Sequence, residues 1–419
     1  MFIQKKAEKS EKALTVSILF RKTDGKTPST TIGVFPLYKY PAKFIPQVPA
    51  FVMENYAKKG MCVFDPFAGS GTVGYTARLY GLNYELWDLN PLLEHLHPLC
   101  EIKPKPLDKD LIEAIKTHPQ EFLPSWKNLF YWHPEEFVLL LSKAWSFYHF
   151  SADESVKKLL LVPLLKLTKH FSYADEKLHK LYKSKHAKEK VERLLKEDYQ
   201  GLFYRMLERE LEKTLQKLSE YQSLKPQKVK STVKAGVDVL EEDLKEPVNI
   251  LITSPPYLQA QEYIRSTKLE LFWLGYTEEF IQALSKKEIP YREVSAIEVL
   301  SETYHTYRKS IEEKYLLRLY DSYFFALLSA LERLSQKVSD YMFVFVGPAK
   351  VRGQKVPIHE IVVQHLSAKG EWVHEKTYID RIVSRVMFRA EKNPATGLED
   401  ERMEREYLVV LRRRSYTRA

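Results

Sequence analysis

The 419-residue sequence contains very few cysteines, and their scarcity excludes several kinds of site. Cys62 and Cys100 are the only two, so neither a disulfide framework nor a zinc site of four thiolates can be built. Both lie beside apolar stretches, where buried and unreactive thiols are expected. His170, His179 and His186 lack the spacing of zinc ligands. We therefore predict no metal site.

Long apolar runs are also lacking. No uncharged stretch reaches the roughly 18 apolar residues that a membrane-spanning helix needs. The first residues, MFIQKKAEKSEK, contain no apolar segment of the kind that a secretory signal has. The sequence therefore predicts a cytoplasmic protein without membrane contact.

Positive charge, in contrast, is abundant. The chain has 65 Lys and Arg residues against 55 Asp and Glu residues, which gives a formal net charge of +10 at pH 7. A basic balance favours a polyanionic partner such as nucleic acid. Surface lysines of an ordinary protein would give the same balance, so charge alone does not decide. Hydrophobic residues make up 44% of the chain, which is typical of a globular protein.

Short apolar runs predict the strands of a sheet. Residues 61–65 end in an acid and are followed by a glycine-rich turn, a helix over residues 73–82 and a strand at 84–88. This order is typical of a doubly wound parallel sheet. We therefore predict an α/β fold with a seven-stranded Rossmann-like sheet. A possible extra strand lies at residues 13–20, and the other five strands are predicted at residues 232–234, 248–253, 341–346, 376–382 and 406–411.

The segment after the second of these seven strands has no strand-like run. It is rich in Leu, Lys and Glu at helical spacing, as in Val191–Tyr221. We therefore predict a large helical insertion over residues 95–230. It separates an N-terminal unit, residues 1–94, from a C-terminal unit, residues 231–419.

The glycine-rich turn, residues 65–74, reads DPFAGSGTVG. Glycines let the backbone approach a ligand, and the helix that follows presents free N–H groups. Asp88, at the end of the next strand, can accept hydrogen bonds from both ribose hydroxyls of an adenosine group. Nicotinamide and flavin enzymes share this glycine pattern, and a tight turn without a ligand is another alternative.

A second turn, residues 253–257, reads TSPPY and directly follows the apolar strand VNILIT. Its two prolines fix φ and stiffen the turn. Ser254 and a backbone carbonyl can accept the two N–H bonds of an aromatic amino group, which aims the nitrogen lone pair at an electrophile. Tyr257 can stack on a base swung out of a helix. In an unrelated protein the same residues would form a plain proline turn.

Together the two turns resemble amino-group DNA methyltransferases. DPFAGSGT resembles motif I of that family, which holds the methionine end of S-adenosylmethionine, and TSPPY resembles motif IV, its catalytic loop. The resemblance implies S-adenosylmethionine as cofactor. It also makes the N-terminal unit the cofactor-binding half and the C-terminal unit the catalytic half. The catalytic residues that it implies are Ser254, Pro255, Pro256 and Tyr257, with Pro255 supplying the carbonyl.

The resemblance implies cofactor-binding residues as well. Phe44 belongs to the stretch YPAKF, which resembles motif X of the family. Asp238 lies where the family has its motif III acid, although three further acids follow closely. The other implied residues come from the glycine turn and the next strand end: Asp65, Pro66, Phe67, Ala68, Gly69, Ser70, Gly71, Thr72, Asp88 and Asn90.

The spelling of the catalytic loop also bears on the target atom. Within the family, serine before the two prolines is more typical of cytosine N4 enzymes, and Asp or Asn of adenine N6 enzymes. Methylation of cytosine carbon 5 needs a cysteine nucleophile, usually after proline. Cys62 follows Met61 and Cys100 follows Leu99, far from the loop. We therefore expect direct transfer to nitrogen on a flipped base, with cytosine N4 favoured over adenine N6.

Two basic segments are candidates for DNA contact. Ten Lys or Arg residues and four Asp or Glu residues lie between Lys166 and Lys196, interleaved with His and Tyr. This part of the insertion is one candidate target-recognition region, and residues 276–310 are the other. A solvated helix face is the plain alternative. The predicted contact residues are Lys177, Lys180, Lys183, Lys185, Arg265, Lys286 and Arg292.

Other functions stay open at this point. An RNA methyltransferase with the same catalytic loop fits the motifs, because flipped or single-stranded bases suit either nucleic acid. A non-catalytic nucleic-acid binder would not need the two turns intact, and a nicotinamide dehydrogenase leaves TSPPY unexplained. DNA is the expected partner, with a separate cognate restriction endonuclease as a candidate second one. The sequence does not indicate an oligomeric state.

Overall fold

The computed structural model describes residues 14–23, 29–40, 44–177, 181–258, 262–351, 354–382 and 404–414. These residues form one eight-stranded sheet, a two-stranded hairpin and helices on both faces of the large sheet. No helix within the described ranges is long and apolar enough to cross a membrane.

The strands begin and end close to the predicted positions. The strands of the large sheet are β1 (Thr15–Ile18), β2 (Cys62–Asp65), β3 (Asn83–Asp88), β4 (Ser231–Ala235), β5 (Val248–Thr253), β6 (Val338–Val346), β9 (Trp372–Arg381) and β10 (Arg405–Arg413), and the hairpin strands are β7 (Ala349–Val351) and β8 (Gln354–Val356).

The helices fall into two groups, those that flank the sheet strands and those between β3 and β4. The first group comprises α1 (Gln47–Tyr56), α2 (Thr72–Tyr80), α10 (Tyr263–Ser266), α11 (Lys268–Trp273), α12 (Glu278–Lys286), α13 (Glu302–Lys309), α14 (Lys314–Ser335) and α15 (Ile358–Ala368). The second comprises α3 (Leu92–Leu96), α4 (Leu111–Lys116), α5 (Leu129–Trp132), α6 (Glu135–Ser146), α7 (Glu154–His170), α8 (Lys185–Lys196) and α9 (Tyr199–Ser223).

The large sheet has the strand order β1-β9-β10-β6-β5-β2-β3-β4. Every neighbouring pair is parallel except the two pairs that β10 makes with β6 and β9. The chain runs outward from β2 through β3 to β4, then returns to the other side of β2 with β5 and β6. The order therefore reverses between β2 and β5, the position at which ligands bind in such sheets.

The sheet has eight strands, and the predicted number of seven is wrong. The additional strand is β1, which the sequence indicates only as a possible strand. It pairs in parallel with β9, Thr15 opposite Thr377, at the edge of the sheet. Three of its four side chains are exposed, so it lacks the apolar run that marks a central strand. Asp380 anchors the segment, because its carboxylate accepts the N–H of Phe20 at 3.3 Å.

Both faces of the sheet are buried, which explains the continuous apolar runs of its central strands. On β5, Ile250 and Ile252 belong to the cluster that contains α1 and α2, whereas Leu251 belongs to the cluster that contains α14 and α15. On β10, Val410 and Leu411 divide in the same way. The sheet is therefore the middle of three layers.

The helices between β3 and β4 form their own hydrophobic cluster, which includes Trp145, Leu164 and Phe203. This cluster also contains Phe35, before the sheet, and Phe272, on α11. The helical segment is thus packed against residues on both sides of it in the sequence. Because β1 comes before β2 and β3, the helical segment follows the third strand of the chain and not the second.

The segment Val191–Tyr221, which has the apolar spacing of a helix, is divided between α8 and α9. The division falls at Glu197 and Asp198. Asp198 caps the second helix, since its carboxylate accepts the N–H of Gly201 at 2.9 Å.

Candidate active site

A cavity with about 830 Å³ of space, its open mouth included, lies at the carboxyl ends of β2, β3, β4 and β5. It lies where the strand order reverses, the position at which ligands bind in parallel sheets. Its lining includes residues of both turns singled out in the sequence, the glycine turn after β2 and the TSPPY turn after β5.

The glycine turn is shaped by close contacts at each glycine. Gly69 has φ +56°, and a Cβ there would lie 3.1 Å from the Tyr40 ring. Gly71 has φ +88° and precedes α2, where a Cβ would lie 2.5 Å from the His97 ring. At Gly74 a Cβ would lie 2.6 Å from the same ring. The first glycine therefore lets the turn approach the cavity wall, and the others let α2 pack on the sheet.

Asp88 ties the end of β3 to this turn. One carboxylate oxygen accepts the N–H of Gly69 at 2.7 Å, and the other accepts the N–H of Asn90 at 2.8 Å. Burial raises the pKa of Asp88 to about 6, although the two backbone bonds oppose the shift. Asn90 lines the cavity, and its side chain bonds Thr267 and the N–H of Leu92.

Asp65 holds the glycine turn through hydrogen bonds but does not line the cavity. Its Oδ1 accepts the N–H of Phe67 at 3.0 Å and the hydroxyl of Thr253 at 2.6 Å. Burial raises the pKa of Asp65 to about 7. The bond to Thr253 joins the end of β2 directly to the end of β5, so the two turns share one support.

Asp238, after β4, forms the far wall of the cavity together with two basic residues. Its Oδ1 accepts the N–H of Leu240 at 2.9 Å and a guanidinium N–H of Arg292 at 2.6 Å. The Lys287 ammonium lies 3.8 Å from the other carboxylate oxygen and 2.7 Å from a carboxylate oxygen of Glu241. Arg292, which the sequence suggests as a nucleic-acid contact, thus pairs with a buried acid beside the cavity.

The TSPPY turn brings Ser254 and Pro256 into the cavity wall. The hydroxyl of Tyr323, a buried residue of α14, donates to the carbonyl of Pro256 at 2.9 Å. Tyr257 donates its hydroxyl to Glu406 on β10 at 2.8 Å. Burial raises the pKa of both Tyr257 and Glu406. The turn is therefore held from two sides by residues far from it in the sequence.

Comparison with known proteins gives distant relatives. No protein-family model matches the chain. The chain is 24% identical over 297 residues to Type II methyltransferase M.BsoBI of Geobacillus stearothermophilus, a match that covers 64% of this chain and 58% of that protein. It is 24% identical over 266 residues to Type II methyltransferase M.MvaI of Kocuria varians, a match that covers 56% of each. This chain is similar to Type II methyltransferases. The matches span less than two thirds of either relative.

The cavity gathers most of the residues that the family resemblance suggests for the cofactor. Asp65, Pro66 and Gly71 lie outside its lining and support the turn. Those that line it are Phe44, Phe67, Ala68, Gly69, Ser70, Thr72, Asp88, Asn90 and Asp238. Of the four catalytic candidates, Ser254 and Pro256 line it, Pro255 is buried beside them and Tyr257 lies next along the turn.

Several lining residues were not predicted from the sequence. Leu89 follows β3, Val237 and Val239 flank Asp238, and the five residues beyond position 262 follow the TSPPY turn; none of these eight lies in a recognisable motif, whereas Tyr40 lies with Phe44 in the YPAKF stretch. The cavity residues missed in this way are Tyr40, Leu89, Val237, Val239, Tyr263, Ile264, Lys287, Glu288 and Ile289.

The predicted nucleic-acid contacts fall into two places. Arg265 and Lys286 are exposed and adjoin the cavity-lining residues Ile264 and Lys287 in the sequence. Lys177 and Lys185 are exposed on the helical segment. Lys180 lies outside the described residues.

The Lys183 side chain contacts Tyr131 and Tyr173 of the helical segment. Its ammonium lies 3.7 Å from the centre of the Tyr173 ring and 4.5 Å from that of Tyr131, and it donates to the carbonyl of Tyr131. His170 bonds Glu176 at 3.0 Å. Among the described residues, no three His, Cys, Asp or Glu side chains are placed to hold a metal ion.

Proposed function

We propose that the chain is an S-adenosylmethionine-dependent DNA methyltransferase that methylates an exocyclic amino group. The observation that carries the proposal is that one cavity contains both the glycine turn and the serine of the TSPPY turn. A binding turn and a catalytic turn on the same cavity are what a direct transfer between cofactor and base requires.

The residues around the cavity fit the cofactor. Asp88, which lines the cavity, is suited to accept a hydrogen bond from the ribose, and Asp238 is suited to accept one from the amino group of the adenine. The Ser70 hydroxyl is buried and has no hydrogen-bond partner within the described part of the chain, so it is suited to bond a ligand. When bound, the cofactor supplies an electrophilic methyl group on a positively charged sulfur.

The TSPPY turn is suited to hold the amino group that receives the methyl. The Ser254 side chain and the Pro255 carbonyl accept its two N–H bonds, which turns the nitrogen lone pair out of conjugation with the ring. Tyr323 holds the neighbouring carbonyl of Pro256, so this oxygen is engaged in fixing the turn. Tyr257 supplies an aromatic face for the flipped base.

The relatives support DNA as the substrate and a role in a restriction–modification system. A separate cognate endonuclease is the second partner that we propose. Ser254, in place of Asp or Asn, favours cytosine N4 as the target over adenine N6. Arg265 and Lys286 are exposed and adjoin the cavity lining, which supports them as contacts for the phosphates that flank the flipped nucleotide. The helical segment, residues 95–230, is the proposed recognition region.

Transfer of tritiated methyl groups from S-adenosylmethionine tests the proposal. We expect the protein to label duplex DNA, and to label transfer or ribosomal RNA far less. Labelling of RNA alone would make the chain an RNA methyltransferase. If S-adenosylmethionine binds but no nucleic acid is labelled, the catalytic part of the proposal is wrong.

Replacing Ser254 by Ala removes one of the two acceptors for the amino group. We expect turnover to fall by about 10²-fold, as for loss of one oriented polar group in an active site. Cofactor affinity should stay within about twofold, because the change leaves the glycine turn intact. Ser219→Ala, on the exposed face of α9, is the matched control. An equal loss of cofactor binding and turnover in Ser254→Ala would mean that the turn is structural.

A further inference from the structure

Glu288 is a buried acid of the cavity for which the motifs provide no role. It follows α12, is 6% exposed and lines the same cavity as Asp88. Its Oε1 accepts the N–H of Ile264 at 2.9 Å, which fixes the carboxylate against the start of α10. Burying a carboxylate costs free energy that hydrogen bonds offset, and a ligand in the cavity can supply further hydrogen bonds to this one.

The charges around Glu288 do not provide such a partner. The two nearby basic residues, Lys287 and Arg292, pair with Asp238 and, for Lys287, also with Glu241. Within the described ranges no ion pair joins Glu288 to Lys or Arg. Burial, with the nearby negative charges of Glu262 and Asp88 adding to it, raises the pKa of Glu288 to about 7, although the backbone hydrogen bond from Ile264 opposes the shift.

Tyr40 shows where in the cavity the two acids act. Its ring lies against Gly69, whose N–H bonds Asp88. Besides burial, the charge of Asp88 raises the pKa of the Tyr40 hydroxyl, and Glu288 adds a smaller contribution, so both acids lie in the neighbourhood of this hydroxyl. Hydroxyl groups suit that place, because each can donate a hydrogen bond to one carboxylate without adding charge.

We propose that Glu288 binds the ribose of the cofactor together with Asp88, each carboxylate accepting a hydrogen bond from one ribose hydroxyl. This inference rests on the proposed function, since it takes the ligand to be S-adenosylmethionine. It makes Glu288 a second cofactor-binding acid that comes from the catalytic half of the chain.

Affinity should then depend on pH. A carboxylate accepts a hydroxyl hydrogen bond more strongly than a carboxylic acid does, so binding favours ionised Glu288. Since the pKa of Glu288 in the free protein is about 7, affinity should rise as the pH rises through that value. The titratable groups that face Glu288 are Asp88, Glu262, Tyr263, Tyr40 and Tyr291. Of these, Asp88 titrates near 6 and contributes to the lower part of the profile.

Calorimetric binding of S-adenosylmethionine and S-adenosylhomocysteine to the full chain tests the inference. The two probes share the ribose, but only the first has a charged sulfur. We expect Glu288→Gln to weaken both by about tenfold to a hundredfold, the range for one hydrogen bond to a charged group. Gln keeps an acceptor for Ile264. Glu262→Gln, which removes a neighbouring charge outside the cavity lining, should change either affinity by less than about twofold.

Each outcome decides a separate point. An equal loss of affinity for both probes supports the assignment of Glu288 to the ribose. Unchanged affinity of Glu288→Gln for both probes overturns it. Weaker binding of S-adenosylmethionine alone also overturns it, because that result would place the carboxylate at the charged sulfur. If the variant does not fold, a wild-type affinity that is flat between about pH 5.5 and about pH 8.5 overturns it instead. Failure of the wild-type protein to bind either probe would overturn the proposed function itself.

Discussion

At the scale of single residues, the hydrogen bond from Tyr257 to Glu406 fixes the position of the aromatic ring of the TSPPY turn. The hydroxyl donates to the carboxylate at 2.8 Å, and Glu406 sits on β10 opposite Asp380 of β9. Burial, with the nearby Asp380 charge adding to it, raises the pKa of Glu406. Tyr257 thus has a fixed orientation, which under the proposed function lowers the entropic cost of stacking on a flipped base.

Removing either partner of this bond should give the same defect. We expect Tyr257→Phe and Glu406→Leu, which removes the acceptor, each to lower kcat by about tenfold, since the ring stays but loses its orientation. The double variant should be no worse than either single one, because both changes break one interaction. Methyl transfer and the fluorescence of 2-aminopurine at the target position measure turnover and base flipping. Additive losses would show that the two residues act independently.

Tyr323 and Glu406 also show what the sequence does not reveal at this scale. The TSPPY turn is recognisable because its residues are consecutive. The residues that hold it come from α14 and β10, 67 and 149 positions away, and neither lies in a motif. Their roles depend on the strand order of the sheet, which a single sequence does not specify.

At the scale of elements, the glycine turn depends on the packing of α2 against His97. Gly71 and Gly60 both have φ +88°, but a Cβ at Gly60 would meet nothing within 4 Å. We expect Gly60→Ala to cost about 1–2 kcal/mol of unfolding free energy for the left-handed backbone alone. Gly71→Ala should cost about 1–3 kcal/mol more, because its methyl overlaps the His97 ring. Urea unfolding measures both, and equal losses would show that the ring moves aside freely.

The bond between Thr253 and Asp65 connects β2 and β5 and predicts a dependence on pH. The pKa of Asp65 is about 7 in the folded protein, above the ordinary value of 3.8 for an aspartate. The contribution of Asp65 to stability is therefore fully present at low pH and is lost as the pH rises through about 7. Thr253 limits that loss by donating to the ionised carboxylate.

Thr253→Val should therefore destabilise the protein more at high pH than at low pH. We expect a loss of about 1.5–3 kcal/mol in unfolding free energy at about pH 8.5, and a smaller loss at about pH 5. Thr117→Val removes an exposed hydroxyl bond to a backbone carbonyl and should be insensitive to pH. A loss for Thr253→Val that is the same at both pH values would contradict the assigned role of Asp65.

Element positions could be predicted where both faces of a strand are buried, as at β5, because the apolar run is continuous. They could not be predicted in the same way at β1, whose side chains are mostly exposed and whose partner, β9, is more than 350 residues away. The apolar spacing continues across the break between α8 and α9, so it predicts helix there but does not mark where one helix ends.

At the scale of the whole molecule, the strand order brings the ends of four strands to one cavity. The sequence indicates the two turns, and the sheet places them side by side through Asp65 and Thr253. The helical segment packs against residues that precede it and residues that follow it in the sequence, and it shares one hydrophobic cluster with Phe35 and Phe272. The net charge of +10 indicates a polyanion but not where it binds, because several lysines and arginines are engaged within the fold.

The most direct test of the central claim is methylome sequencing of DNA from a methylation-deficient host that expresses the chain. It reports the base, the atom and the surrounding sequence together. We predict methyl groups on an exocyclic amino nitrogen, cytosine N4, at one recurring sequence, and none when the Ser254→Ala variant is expressed. Unmodified DNA from cells that contain folded, cofactor-binding protein would contradict the account, as would methylation at cytosine carbon 5.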